Sequence, residues 1–156
     1  MVSKISLIFI FLLIWKLFAT LTHIDTFDYD GKYLTWTTNG FAGYIKVIDE
    51  KFSANGDRGI LIPKVDNIDL DYMKFIIEPI LRDLAKGRKG DKGKDEFTKV
   101  YPSMVEDVTI VVPLLKNGNL DLNTQKEIAE KYLKIEQIKS SIQDELEKIE
   151  KISIEY

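Results

Sequence analysis

The chain of 156 residues has no cysteine and only one histidine, His23. The absence of cysteine excludes disulfide bonds and thiolate metal sites. Histidine and cysteine supply most zinc ligands, so we expect neither a metal nor a cofactor. A hydrolytic triad would depend on His23 alone, and no nucleophile motif accompanies it. We therefore interpret His23 as a boundary residue between two segments.

The chain also lacks a strong charge of one sign, since its net charge is −3. This balance argues against a surface that binds polyanions everywhere, although local patches matter more than the total. Carboxylates occur in two close pairs, Asp28 with Asp30 and Asp69 with Asp71, but a turn and a helix start explain these pairs. With no catalytic constellation, we expect a protein that is not an enzyme.

An apolar run with few charges occupies residues 5–15, and Lys16 separates it from a shorter apolar stretch. Three interpretations compete. A secretory signal would need a small-residue cleavage site, which residues 18–22 provide poorly. A membrane anchor would have to include Lys16 in its span. In the third interpretation, residues 1–22 form an extra apolar helix that does not belong to the following domain.

Short strands and one packed helix are predicted for residues 24–113. Residues 32–38, 43–48, 51–54, 58–63 and 108–113 have the β-branched and aromatic composition of strands. Asp69 is the predicted N-cap of a helix with a broad apolar face, and Pro79 should kink or split this helix. The predicted fold class is α+β, a small domain of short strands and a packed helix.

Residues 86–99 contain six basic residues, three acidic residues and three glycines. Lysine and arginine neutralise phosphates, and glycine gives a backbone the freedom to follow a nucleic acid. The alternative is a solvated loop whose charges maintain solubility.

The C-terminal segment predicts one long helix, because residues 121–152 contain neither glycine nor proline. Asn123 or Thr124 can cap this helix, and Thr124 and Glu127 have the spacing of a capping box. Isoleucines recur with a heptad period that is typical of coiled coils. We expect this seam to need a second helix, with pairing through Ile128, Ile135, Ile138, Ile142, Ile149 and Ile152.

Several motifs, in their order and spacing, resemble the specificity subunits of type I restriction–modification systems. The similarity includes YLTWTTNG at 33–40, GILIP at 59–63, FTKVYPSM at 97–104 and, most strongly, IVVP at 110–113 followed by NGNLD at 117–121 and QKEIA at 125–129. It covers residues 24–153. In that family, the last of these motifs lies where a DNA target-recognition domain joins a spacer helix.

The resemblance implies a division into residues 1–22, of doubtful origin, a partial recognition domain at 23–116 and a spacer helix at 117–156. The family's domain normally begins earlier, so we expect half of a subunit or a remnant whose reading frame is disrupted upstream. It further implies a cytoplasmic protein that binds double-stranded DNA, a methyltransferase subunit and a second specificity half or a second copy. Catalysis would lie in partner chains. The expected DNA contacts are Lys86, Arg88, Lys89, Lys92, Lys94, Thr37, Thr38 and Asn39.

The alternative function is a membrane-anchored or secreted adaptor that pairs through its C-terminal helix. It requires the apolar run in residues 1–21 to be a genuine signal or anchor, and membrane contact is expected only in that case.

Overall fold

The computed structural model of the chain describes residues 1–15, 27–54, 56–89 and 95–152. These residues form strands and helices in the order β1 (Val2–Ser6), α1 (Leu7–Ile10), β2 (Phe11–Trp15), β3 (Lys32–Thr37), β4 (Asn39–Gly40), β5 (Ile45–Asp49), β6 (Arg58–Pro63), α2 (Leu70–Leu84), β7 (Lys86–Lys89), β8 (Asp95–Lys99), α3 (Pro102–Glu106), β9 (Thr109–Pro113) and α4 (Leu122–Glu150).

The strands form three small antiparallel sheets. The largest has the order β2-β6-β3-β5, the second pairs β1 with β9, and the third has the order β4-β8-β7. Because β3 and β4 are separated only by Thr38, the first and third sheets are joined at that point. The third sheet lies at one end of the domain's main sheet and carries the basic segment.

The core lies between the main sheet and α2. Asp69 caps α2 as predicted, since its side-chain oxygen accepts a hydrogen bond of 2.7 Å from the Tyr72 N–H. The buried side chains include Leu34, Trp36, Ile60, Leu61, Met73, Ile77 and Leu81. This burial confirms the predicted packed helix and the α+β class.

The first fifteen residues differ from the sequence expectation. Instead of an extra apolar helix, they form β1, the four-residue α1 and β2, and these strands pair with β9 and β6. Leu7, Ile10 and Phe11 are buried in the core. A short apolar run has no period that separates a strand from a helix, and here the free edges of β6 and β9 decide the outcome. Residues 16–22 lie outside the described residues.

Three smaller predictions also need correction. The predicted strand at residues 51–54 is reduced to an isolated bridge between Tyr29 and Phe52. Pro79 does not split α2, which continues to Leu84. The basic segment is not a simple loop, because β7 and β8 pair as the two arms of a hairpin.

The long C-terminal helix is confirmed as α4, but its cap is different. Asp121 is the N-cap, accepting hydrogen bonds from the Thr124 N–H (3.1 Å) and hydroxyl (2.8 Å). The predicted capping box from Thr124 to Glu127 is therefore wrong. Asp121 precedes Thr124 by three residues, which is the spacing that places a carboxylate over the free N–H groups of the first turn.

Candidate nucleic-acid interface

The sheet β4-β8-β7 brings together two segments that are about fifty residues apart in the sequence. Asn39 in β4 pairs with Lys99 in β8, and Lys99 pairs in turn with Lys86 in β7. Arg88 pairs with Phe97 two residues further along the hairpin. The polar segment after β3 and the basic segment therefore belong to one surface, which we call the hairpin surface (residues 39–41, 86–89 and 95–99).

The close approach of β7 to β8 depends on Gly87. A Cβ atom at this position would overlap the carbonyl oxygen of Phe97. The contact between the two strands therefore requires glycine at position 87.

The structure describes the basic residues only in part. The backbone positions of Lys86, Arg88 and Lys89 lie in β7, whereas Lys92 and Lys94 lie outside the described residues. Lys99, which the sequence argument did not select, is half-buried in β8 with its ammonium 5.8 Å from the centre of the Tyr101 ring.

Thr37 and Thr38 have structural partners. The Thr37 hydroxyl donates to the Phe41 carbonyl at 2.6 Å and accepts from the Tyr44 N–H at 3.1 Å. Thr38 is 3% exposed, and its hydroxyl donates to the Gly56 carbonyl at 3.2 Å. Both hydroxyls hold local backbone together in this structure.

Asn39 is half-exposed, as Thr37 is, whereas Thr38 is buried, and it differs from both threonines in carrying an amide group. Its amide nitrogen donates to the Asp57 carboxylate at 2.9 Å. This bond fixes the direction of the amide group and leaves the amide oxygen available as an acceptor. Of the three polar residues selected from the sequence, Asn39 is the one whose amide can reach a ligand without rearrangement of the fold.

Exposed aromatic residues, which were not selected from the sequence, lie on and beside this surface. Phe41 is 60% exposed and Phe97 is 56% exposed, one after β4 and the other within β8. Arg82 lies 4.0 Å from the centre of the Tyr44 ring and donates to the Ala42 carbonyl at 3.2 Å. The sequence did contain a signal for both phenylalanines, since Phe97 lies between Lys94 and Lys99 and Phe41 directly follows the Asn39-Gly40 pair.

The isoleucine seam of α4 has two different environments. Ile128 is half-buried against the domain core. The other five predicted pairing residues are 47–69% exposed: Ile135, Ile138, Ile142, Ile149 and Ile152. Most of the predicted seam is therefore exposed to solvent in this chain.

The start of α4 is fixed to the domain by a joint that the sequence did not reveal. Gln125 is fully buried, accepts from the Asp69 N–H at 3.0 Å and donates to the Asn67 carbonyl at 3.2 Å. About two turns further on, Tyr132 stacks on Phe75 with ring centres 5.0 Å apart, and after about three turns Glu136 lies 3.3 Å from Lys74. These contacts set the direction in which α4 leaves the domain.

Among the described residues, no helix combines the length and the apolar composition that a membrane span requires. In the same residues, no three His, Cys, Asp or Glu side chains are grouped so that they could hold a metal ion.

Comparison with known proteins agrees with this architecture. Residues 19–151 match the family model for the type I restriction modification DNA specificity domain. The chain therefore belongs to this family.

Individual relatives match over shorter stretches. The specificity subunit of the type I restriction enzyme MpnII from Mycoplasma pneumoniae is 40% identical over 58 residues, which is 37% of this chain and 18% of that protein. A second type I specificity subunit of this organism is 41% identical over 58 residues, again 37% of this chain and 24% of the relative. The chain thus spans about a quarter or less of the length of these relatives.

The fold is shared with a solved protein. The crystal structure of the S subunit of a type I restriction–modification system from M. genitalium superposes with a TM-score of 0.64 at 14% identity, over 87% of this chain and 39% of that one. At this identity, the comparison supports the fold alone.

Proposed function

We propose that this chain recognises double-stranded DNA as a specificity component of a type I restriction–modification system and carries no catalytic residues of its own. The observation that carries the proposal is the hairpin surface, where β8 joins Asn39 to the basic strand β7. The family is described by DNA specificity. A site on DNA needs phosphate contacts for position and contacts to base edges for specificity, and this surface combines candidates for both.

In this proposal, Lys86, Arg88, Lys89, Lys92 and Lys94 neutralise phosphates. Asn39 approaches a base edge, because an amide side chain suits the donor and acceptor pattern of adenine in the major groove. Thr37 and Thr38, expected as DNA contacts from the sequence, hold the backbone that presents Asn39 in this proposal, since their hydroxyls are engaged within the fold.

The experiment measures the affinity of the chain for a mixed-sequence DNA duplex as a function of salt. Each phosphate contact contributes about 0.9 to the slope of log K against log salt concentration. The variant Arg88→Ala/Lys89→Ala/Lys92→Ala should therefore bind more weakly and reduce the slope by about two to three.

A matched control removes the same charge elsewhere. Lys126, Lys134 and Lys139 are exposed on α4, so Lys126→Ala/Lys134→Ala/Lys139→Ala changes the net charge equally without touching the hairpin. The control should retain the wild-type slope. Equal changes in both variants would mean that the hairpin holds no phosphate, and its charges would then be solvated.

The second part of the proposal concerns α4. We infer that its exposed seam pairs with the helix of a second specificity half or a second copy, and that the paired helices dock a methyltransferase subunit. The support is the exposure of five isoleucines on a helix that leaves its own domain. Co-purification from the native host, probed for a methyltransferase subunit and for bound DNA, tests this. Purification of the chain with neither would contradict it.

A further inference from the structure

Phe41 is an exposed aromatic residue held in place by a rigid loop. It follows Asn39 and Gly40, and its ring is 60% exposed. The neighbouring Ala42 is fully buried, so the chain turns from solvent to core within one residue. An apolar side chain in water is ordinary when it stands alone on a surface, so its exposure is informative only together with its surroundings.

The first feature of those surroundings is a network of hydrogen bonds on both sides of Phe41. The Thr37 hydroxyl donates to the carbonyl of Phe41 at 2.6 Å. The buried hydroxyl of Thr98 donates to the Gly40 carbonyl at 2.9 Å and accepts from the Ala42 N–H at 3.0 Å. The backbone before, at and after Phe41 is therefore fixed by two threonine side chains.

The second feature is the contact of this loop with α2. Gly43 has φ +88°, and a Cβ there would lie 2.8 Å from the Leu81 carbonyl carbon and oxygen. Arg82 donates to the carbonyl of Ala42 at 3.2 Å. The loop is thus docked on a helix of the core, and Phe41 projects from a preorganised position that costs little further ordering upon binding.

The third feature is the charge and chemistry beside it. Asn39 lies two residues away, and its backbone partner Lys99 is on the same small sheet as the basic strand β7. An exposed apolar group two residues from an amide, on the sheet that carries the basic strand, suits the major groove, because A·T pairs there present an adenine edge for an amide and a thymine methyl for an apolar contact.

We propose that Phe41 contacts the C5-methyl group of a thymine in the major groove, next to the base edge read by Asn39. Phe41 is then a specificity-determining residue. This inference rests on the proposed function, because it assumes that the hairpin surface binds DNA. It adds that the chain should prefer a thymine at one position of its DNA site.

The test first selects a preferred duplex from a randomised duplex pool with the full chain. Each thymine of that duplex is then replaced in turn by deoxyuridine, which removes only the methyl group. The wild type should lose about three- to fivefold in affinity at one position, the size expected for one buried methyl. Phe41→Ala should bind the thymine duplex more weakly and be insensitive to the replacement.

Two further variants separate this role from a general effect. Phe41→Leu keeps an apolar contact and should retain part of the sensitivity. Phe27→Ala removes another exposed phenylalanine, 48% exposed and remote in sequence from the hairpin, and should behave as the wild type. Since Phe41 is exposed, its substitution should leave the melting temperature within the range of these controls.

The outcomes distinguish the two proposals. If the duplex binds with the salt slope described above but no deoxyuridine replacement matters, or if Phe41→Ala keeps the wild-type sensitivity, this inference is overturned and the proposed function stands. If the wild type binds no duplex at all, both are overturned.

Discussion

The first turns of α4 and its last turns carry the same isoleucine repeat but have opposite environments. Near the domain, Gln125 and Ala129 are buried, and Tyr132 stacks on Phe75. Beyond Glu136, every described residue of the helix is exposed. The described polar contacts of these outer turns run along the helix itself, such as Lys148 with Glu145 at 2.6 Å.

The same isoleucine repeat thus lies in two environments, one packed on the domain and one exposed to solvent. A short helix without tertiary contacts is marginal in water, because most helical stability in proteins comes from packing of an apolar face. The domain provides that packing as far as Glu136, and in the function proposed above another chain provides it for the remaining half of the seam.

The largest effect is expected in the outer half. Ile142→Asp/Ile149→Asp places two charges in the exposed seam, and burying them unpaired should weaken helix pairing by more than about a hundredfold. The melting temperature of the domain should not change. Sedimentation equilibrium measures the association of the chain, and circular dichroism follows the melting.

The control adds the same charge outside the seam. Ser140→Asp/Gln143→Asp lies on other faces of the same turns and should pair as the wild type does. A wild-type chain that stays monomeric, with its outer turns fully helical and no bound partner, would remove the argument for a seam.

The next effect is expected at the joint. Gln125→Ala leaves the Asp69 N–H and the Asn67 carbonyl without their partners and opens a small cavity, so we expect a loss of about 2–4 kcal/mol in the free energy of unfolding. Gln143→Ala, the same substitution in the outer half, should cost less than about 0.5 kcal/mol. Urea unfolding of both variants measures the difference, and similar losses would contradict the contrast between the two halves.

The joint also shows which parts of the fold were predictable from the sequence. The capped helix α2, the strands β3 and β6 and the helix α4 follow from local patterns, because periodicity and turn residues are contained within each segment. The role of Gln125 is not local. From the sequence, Gln125 resembles a surface residue of a heptad helix. In the fold it is buried, and its amide group is hydrogen-bonded to Asn67 and Asp69, which are distant in sequence.

The candidate interface and the N-terminal apolar run also combine features that local patterns predict with features that depend on distant residues. Composition was enough to select Asn39 and the basic segment, but their adjacency depends on the pairing of Asn39 with Lys99, which no local pattern encodes. The burial of Thr38 was equally hidden. Residues 2–6 and 11–15 form strands because β9 and β6 offer edges, and such long-range pairing overrides an ambiguous local preference.

A smaller difference in the free energy of unfolding is expected between substitutions at two neighbouring residues, where the packed half of α4 meets its exposed half. Tyr132→Ala removes the ring that stacks on Phe75 with a 16° angle between planes, which should cost about 1 kcal/mol. Leu133→Ala, one position away and without such a stacking partner, should cost less than half of this. Thermal unfolding of the two variants compares them, and a larger loss for Leu133→Ala would move the boundary further along the helix.

The smallest effect concerns the cap of α4 and its dependence on pH. Hydrogen bonds from the Thr124 backbone and hydroxyl lower the pKa of Asp121. A carboxyl whose pKa is lower in the folded state stabilises the fold above its unfolded pKa, and this contribution is lost as the pH falls through the folded value. Asp121→Asn keeps a good N-cap but cannot titrate. The stability advantage of the wild type over this variant, measured by urea unfolding between pH 6 and about pH 2.5, should therefore shrink at the acid end. An advantage that stays constant or grows on acidification would show that the charge of Asp121 does not support the start of α4, and that its hydrogen bonds act through geometry alone.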